Sequence, residues 1–142
     1  MQIDDKTWEF YQQHLGYSDE EMQKFRANPV NQIVLSRAGV LASHTIVAEV
    51  VESRGCNSRH MAGDRIIFDG SGNLLTHSSP KRICIFLLQP LVQIIYGIQE
   101  LVYAGVGPDD LKFRYAGCFD VGVEHCGWGR VVIKVTVEPR TK

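Results

Sequence analysis

The most apolar stretch of the chain, Ile83–Tyr103, constrains the fold more than any other segment. It is about 20 residues long, which is enough to cross a membrane as a helix. Arg82 precedes it, and several polar or helix-breaking residues interrupt it: Gln89, Pro90, Gln93, Gln99 and Glu100. Because a lipid-facing helix rarely carries so many interruptions, the stretch predicts one long, buried or half-buried helix of a soluble protein, kinked near Pro90.

The segment Arg130–Glu138 (RVVIKVTVE) alternates between apolar and polar residues, which is typical of a strand with one buried face. Thr45–Ser53 and Arg65–Asp69 are also rich in β-branched residues, and Leu111–Tyr115 is a short fourth candidate. The segment Gly70–Asn73 predicts a turn after the second strand. We therefore expect an α+β fold, in which a small antiparallel sheet of three to four strands packs against one long helix.

An N-terminal helical extension completes the predicted fold. Its first helix ends at Gly16, and the second begins at a capping box formed by Ser18 and Glu21. A third helix is expected from Asn28 through Arg37, with Gly39 at its end. We expect residues 1–43 to form this extension and residues 44–142 to form an α+β module, both in one compact unit. The extension is expected to pack on its own module, with partner binding as the alternative.

The overall composition excludes several classes of protein. The chain has 142 residues, a net charge of -1, 44% hydrophobic residues and 22% charged residues, which are values of an ordinary soluble domain. No basic patch is interleaved with aromatic residues, so we expect neither nucleic acid nor a membrane surface as a partner. The start of the chain lacks a basic segment followed by an apolar one, which favours a cytoplasmic protein with reduced cysteines.

Two pairs of potential metal ligands fall in predicted loops. Cys56 and His60 are four positions apart, and Cys118 and Cys126 follow in a glycine-rich segment. Thiolate and imidazole ligands together suit zinc or iron, with Asp120 and His125 as alternate ligands. Neither pair has the usual C-x2-C spacing, so four reduced thiols without a metal remain the alternative.

Cys84 has a separate role in the prediction because it stands where the long helix begins. The first turn of a helix has unpaired amides and the positive end of the dipole, which favour a thiolate nucleophile. His60 is the candidate general base for that nucleophile. The alternative is that Cys84 only fills the core beside its apolar neighbours.

The spacing of these residues resembles a small family of bacterial and archaeal domains known as "uncharacterised repeat proteins". The resemblance covers residues 44–138. It rests on Cys56…His60…Gly63-Asp64, on Cys84-x5-Pro90 with Tyr96-Gly97, on Cys118-x-Asp120 and on the valine-rich last strand. It implies that His60, Cys84 and Cys118 belong to one recurring site, in a single copy of the module. It implies no particular activity.

The sequence therefore predicts a small cytosolic enzyme that binds a small-molecule ligand. Its Cys/His site, with or without a metal, would perform acid/base or nucleophilic chemistry. The alternative is a non-catalytic metal-binding or redox accessory subunit of a larger enzyme. The long helix has more apolar residues than a core of this size can cover, which also predicts a homo-oligomer.

Overall fold

The computed structural model describes residues 2–141, which fall into two compact units, one up to Gly39 and one from Val40 onward. The helices are α1 (Asp5–Leu15), α2 (Asp19–Ala27), α3 (Pro29–Ala42) and α4 (Ile85–Tyr103), and the strands are β1 (His44–Arg54), β2 (Arg65–Asp69), β3 (Tyr115–Gly117) and β4 (Arg130–Pro139). Short 3-10 helices occupy Thr76–Ser78 and Val123–His125. The predicted α+β class is confirmed.

In the first unit, α1 ends and α2 begins at the predicted capping residues. Gly16 ends α1 with a left-handed φ of 71°, a conformation in which glycine carries no steric penalty. The hydroxyl of Ser18 accepts the N–H of Glu21, while the Glu21 carboxylate accepts the N–H of Ser18, so the capping box is confirmed. Trp8 is buried in this unit, and its ring meets the ring of Phe25 edge to face, with 6.2 Å between centroids.

The third helix is longer than its sequence predicts. We expected it to run through Arg37 and to stop at Gly39, but α3 continues to Ala42. Gly39 keeps a negative φ, so it does not terminate the helix. The hydroxyl of Ser43 instead donates to the carbonyl of Val40, which satisfies one of the orphan acceptors at the helix end.

The four strands form one antiparallel sheet in the order β2-β1-β4-β3. The alternation predicted for β4 is confirmed, because Val131, Ile133, Val135 and Val137 are all buried. β1 pairs with β4 along nearly its whole length, with one irregularity between Val50 and Glu52. The sheet therefore offers a continuous apolar face to the helix that covers it.

The short strand lies later in the chain than predicted. β3 covers Tyr115–Gly117, not Leu111–Tyr115. On the side of β4 that faces this segment, the N–H of Val137 donates to the Asp109 carboxylate at 3.0 Å. Asp109 also pairs with the guanidinium of Arg114. These side-chain contacts take the place of backbone pairing before Arg114, whose carbonyl accepts the N–H of Val135.

α4 covers the sheet with one face. Four of its buried residues belong to the same core cluster as the strands: Leu87, Leu91, Ile95 and Ile98. Their spacing of three and four residues is that of a helix stripe facing a core. The predicted packing of one long helix on the sheet is therefore confirmed, although the helix begins at Ile85 rather than Ile83.

The opposite face of α4 is apolar and exposed. Ile85, Val92 and Tyr96 are 71%, 69% and 64% exposed. By length and composition, α4 is the one helix among residues 2–141 that is able to cross a membrane, a property shared by core helices of soluble proteins.

Two glycines give opposite predictions for the stability of this unit. A Cβ at Gly70, in the turn after β2, would lie 2.0 Å from the carbonyl oxygen of Leu41, whereas a Cβ at Gly97 inside α4 would meet nothing within 4 Å. We expect Gly70→Ala to lower the free energy of unfolding by about 1–3 kcal/mol, because backbone must move. Gly97→Ala should raise it by about 0.5–1 kcal/mol, because alanine restricts the unfolded chain. Urea unfolding measures both, and a Gly70→Ala variant as stable as the parent would contradict this packing.

Candidate functional site

Three cysteines and His60 line one cavity of about 220 Å³. Cys56 follows β1, Cys84 precedes α4 and Cys118 follows β3, so three separate segments bring their thiols to the same space. Each of the three cysteines is half-buried and packs against the core cluster. The cavity therefore unites the residues that the sequence placed in one pattern.

The remaining wall of the cavity is mainly apolar. Phe86 and Leu87 contribute from the first turn of α4, Trp128 from the loop before β4 and Val131 from β4 itself. The sequence patterns that predict the site do not include Phe86 or Trp128. Phe86 is predictable in retrospect, since it lies two residues after Cys84, but Trp128 depends on how its loop folds.

His60 holds the cavity together by accepting a backbone hydrogen bond. It is 3% exposed, and its Nε2 accepts the N–H of Cys84 at 3.0 Å. An amide N–H only donates, so Nε2 carries the lone pair and the proton of the neutral ring lies on Nδ1. His60 thus links the loop after β1 directly to the start of α4.

Asp64 lies on the other side of the same ring. Its Oδ2 is 3.8 Å from Nδ1 of His60 and accepts the N–H of Met61 at 2.9 Å. The hydroxyl of Ser53 donates to the carbonyl of His60. The histidine is therefore fixed from its backbone and flanked by a carboxylate on the side of its N–H.

These contacts revise the catalytic role predicted for His60. The sequence suggested a general base or a metal ligand, and both roles need a free lone pair. The only lone pair of the neutral ring already accepts the Cys84 N–H. In this geometry His60 is a positioning residue for Cys84.

Cys84 is the N-cap residue of α4, one position before the first turn in which the sequence placed it. Its carbonyl accepts the N–H groups of Leu87 and Leu88, and no side chain caps the helix. Among the described residues, the N–H groups of Ile85 and Phe86 have no hydrogen-bond acceptor. Two free amides therefore lie immediately after the thiol-bearing residue.

Pro90 explains how Cys118 reaches the same site. A proline has no N–H, so the carbonyl four residues earlier, that of Phe86, has no partner within the helix. This carbonyl accepts the N–H of Phe119 at 3.3 Å. Cys118, the preceding residue, donates its own N–H to Val131 at 3.0 Å. The helix proline thus creates an acceptor that anchors the cysteine segment.

Asp120 organises the loop that closes the cavity. Its carboxylate accepts the N–H groups of Gly122, Trp128 and Gly129. These backbone hydrogen bonds, with that of Gly129 the strongest, hold the pKa of the Asp120 carboxyl below its ordinary value of 3.8. Both oxygens accept these loop hydrogen bonds, so Asp120 has a structural role, and its alternate role as a metal ligand stays a prediction.

The predicted metal centre does not assemble. Cys126 is exposed and ends the short 3-10 helix with a left-handed φ of 63°, while His125 belongs to that helix. Neither residue lines the cavity that contains Cys56, His60 and Cys118. Between residues 2 and 141, no three His, Cys, Asp or Glu side chains lie close enough together to hold a metal ion. The loop around Asp120 directs Cys126 away from the other thiols.

Comparison with known proteins identifies no relative. No protein-family model, curated protein or solved structure matches the chain. The resemblance to the "uncharacterised repeat proteins" therefore stays a prediction, and the function has to be argued from the site.

The bond from Cys84 to His60 gives a prediction for stability and local protection. We expect His60→Ala to lower the free energy of unfolding by about 1–3 kcal/mol, because the Cys84 N–H loses its acceptor. Hydrogen exchange of the Cys84 amide should accelerate by at least about tenfold. The exposed His77 is the control, and His77→Ala should change stability by less than about 0.5 kcal/mol. An unchanged exchange rate in His60→Ala would show that the bond is absent.

The carboxylate of Asp120 gives a pH-dependent prediction. Because its pKa is lowered in the folded state, its stabilising contribution is complete above about pH 4 and is lost as the pH falls through the folded pKa. We expect Asp120→Asn to be less stable than the parent near pH 7, and the gap to narrow below about pH 4. Urea midpoints across this range measure it. Glu124→Gln, in the same loop, is the control, and an equal gap at every pH would refute the assignment.

Proposed function

We propose that this chain is a small enzyme in which Cys84 is the nucleophile toward a small organic molecule bound in the cavity. One observation carries the proposal: Cys84 caps α4 at the wall of a cavity, next to two amides that have no acceptor among the described residues. A free amide pair beside a thiol is an arrangement suited to negative charge.

The chemistry follows from where that charge develops. The thiolate is the reactive form of cysteine. When the thiolate attacks, charge moves onto the substrate, where the N–H groups of Ile85 and Phe86 are available as donors. Cys84 is half-buried, so its thiol proton has a path to solvent.

His60 contributes to this proposal by holding the nucleophile in place. Its hydrogen bond fixes the backbone of Cys84 and leaves the next two amides free. A residue that positions the nucleophile in this way affects reactivity through geometry rather than through proton transfer.

The cavity also limits the substrate. A volume of about 220 Å³ admits only a small molecule, and Leu87, Trp128 and Val131 provide apolar contact. Asn57, Ser58 and Arg130 also line the cavity and supply the polar groups that orient a ligand. We therefore propose a compact substrate with an apolar body and one polar or anionic end.

Selective alkylation tests the nucleophile. With limiting iodoacetamide, we expect Cys84 to be carbamidomethylated at least about tenfold faster than Cys56 or Cys118, and faster than the exposed Cys126. Peptide mass spectrometry measures the modification of each site over time. His60→Ala should slow labelling of Cys84 while leaving Cys126 unchanged.

Exposure alone would give the opposite order. If Cys126 reacts fastest and Cys84 reacts no faster than the other two cavity thiols, Cys84 is not an activated nucleophile. A Cys84→Ser variant, checked for an unchanged melting temperature, confirms that the fast phase belongs to Cys84.

A further inference from the structure

We infer that the substrate of this site is a small organic disulfide, and that Cys56 is the thiol that resolves the intermediate formed on Cys84. This inference rests on the proposed nucleophilic role of Cys84 and names its substrate class. Acyl or alkyl transfer needs one thiol, and further thiols in the same cavity would compete for the substrate. Full reduction of a disulfide, in contrast, consumes two thiols, and a second thiol beside the first completes it within one chain.

The structure distinguishes between the two available partners. Cys118 follows β3 directly, and its N–H donates to Val131, so the sheet holds it in place. Its Sγ also lies 4.0 Å from the carbonyl oxygen of Asp120. A resolving thiol has to approach the nucleophile, and a cysteine tied to a strand is poorly suited to that movement.

Cys56 lies in a loop whose other residues contact the nucleophile segment. His60 of this loop accepts the N–H of Cys84, and Asn57 and Ser58 share a second cavity with Cys84. Within the described part of the chain, the Sγ atoms of Cys56 and Cys84 have no hydrogen-bond partner. Cys56 is thus the cavity cysteine whose thiol has no hydrogen-bond partner among the described residues and whose loop is hydrogen-bonded to Cys84.

The reaction balances in two exchange steps. The Cys84 thiolate attacks one sulfur of the substrate, the substrate S–S bond breaks, and half of the molecule leaves as a thiolate that takes a proton. The Cys56 thiolate then attacks Sγ of Cys84, forms the Cys56–Cys84 disulfide and releases the second half as a thiol. The substrate gains two electrons and the two cysteines lose them. An external dithiol regenerates the protein by the same exchange.

An aromatic disulfide, 5,5′-dithiobis(2-nitrobenzoate), tests the inference because each released half absorbs visible light. The full chain carries Cys126→Ser, which removes the exposed thiol outside the cavity. With one equivalent of reagent per chain, we expect release of about two equivalents of thionitrobenzoate and a Cys56–Cys84 link in the peptide map.

The variants separate the two cavity thiols. Cys56→Ser should release about one equivalent and keep a stable adduct on Cys84, and Cys56→Ala should do the same. Cys118→Ser is the matched control and should still release about two equivalents and form the Cys56–Cys84 link. Thermal melting of each variant shows that it is folded.

Three results would overturn the inference, and one of them would also overturn the proposed role of Cys84 as the nucleophile. A link between Cys84 and Cys118, or a stable Cys84 adduct in the parent, would refute the role of Cys56 and leave Cys84 as the nucleophile. If the reagent modifies Cys56 or Cys118 first and bypasses Cys84, both the inference and the proposed function are wrong.

Discussion

Among residues 2–141, His60 is the polar residue buried in the hydrophobic interior. The hydrogen bond that it accepts from Cys84 underlies the whole site. A buried imidazole without partners would destabilise the fold, so its ring has to be satisfied. The Cys84 N–H satisfies Nε2, and Asp64 lies near Nδ1. The same bond joins the loop after β1 to the first residue of α4. One interaction therefore satisfies a buried polar group and brings two cysteine-bearing segments together.

The helix proline makes the complementary connection. Pro90 leaves the carbonyl of Phe86 without an intrahelical donor, and the N–H of Phe119 takes that place. His60 lies four residues after Cys56, and Pro90 lies six residues after Cys84. Both residues thus anchor other segments to the start of the same helix. The resulting cavity depends on backbone groups as much as on the side chains that line it.

Most of the fold could be predicted from periodicity and capping, because both are local. The alternation of β4, the capping box at Ser18 and the apolar stripe of α4 each specify their element without reference to the rest of the chain. The errors lie where a side chain from elsewhere decides the end of an element. Ser43 allows α3 to pass Gly39, and Asp109 occupies the edge of β4 that an earlier β3 would need. The residues of the site could be predicted, because the sequence grouped His60, Cys84 and Cys118. Their roles could not, because only the geometry shows that Nε2 of His60 accepts the Cys84 N–H and that Cys126 is exposed.

The site depends most directly on a neutral His60 whose Nε2 accepts the Cys84 N–H. Nuclear magnetic resonance on ¹⁵N-labelled protein near neutral pH tests this point, through the shifts of the two ring nitrogens and the scalar coupling across the hydrogen bond. We expect a proton on Nδ1, a nonprotonated Nε2 and a measurable coupling between Nε2 and the amide nitrogen of Cys84. A proton on Nε2, in either the other neutral tautomer or the imidazolium, would contradict the account.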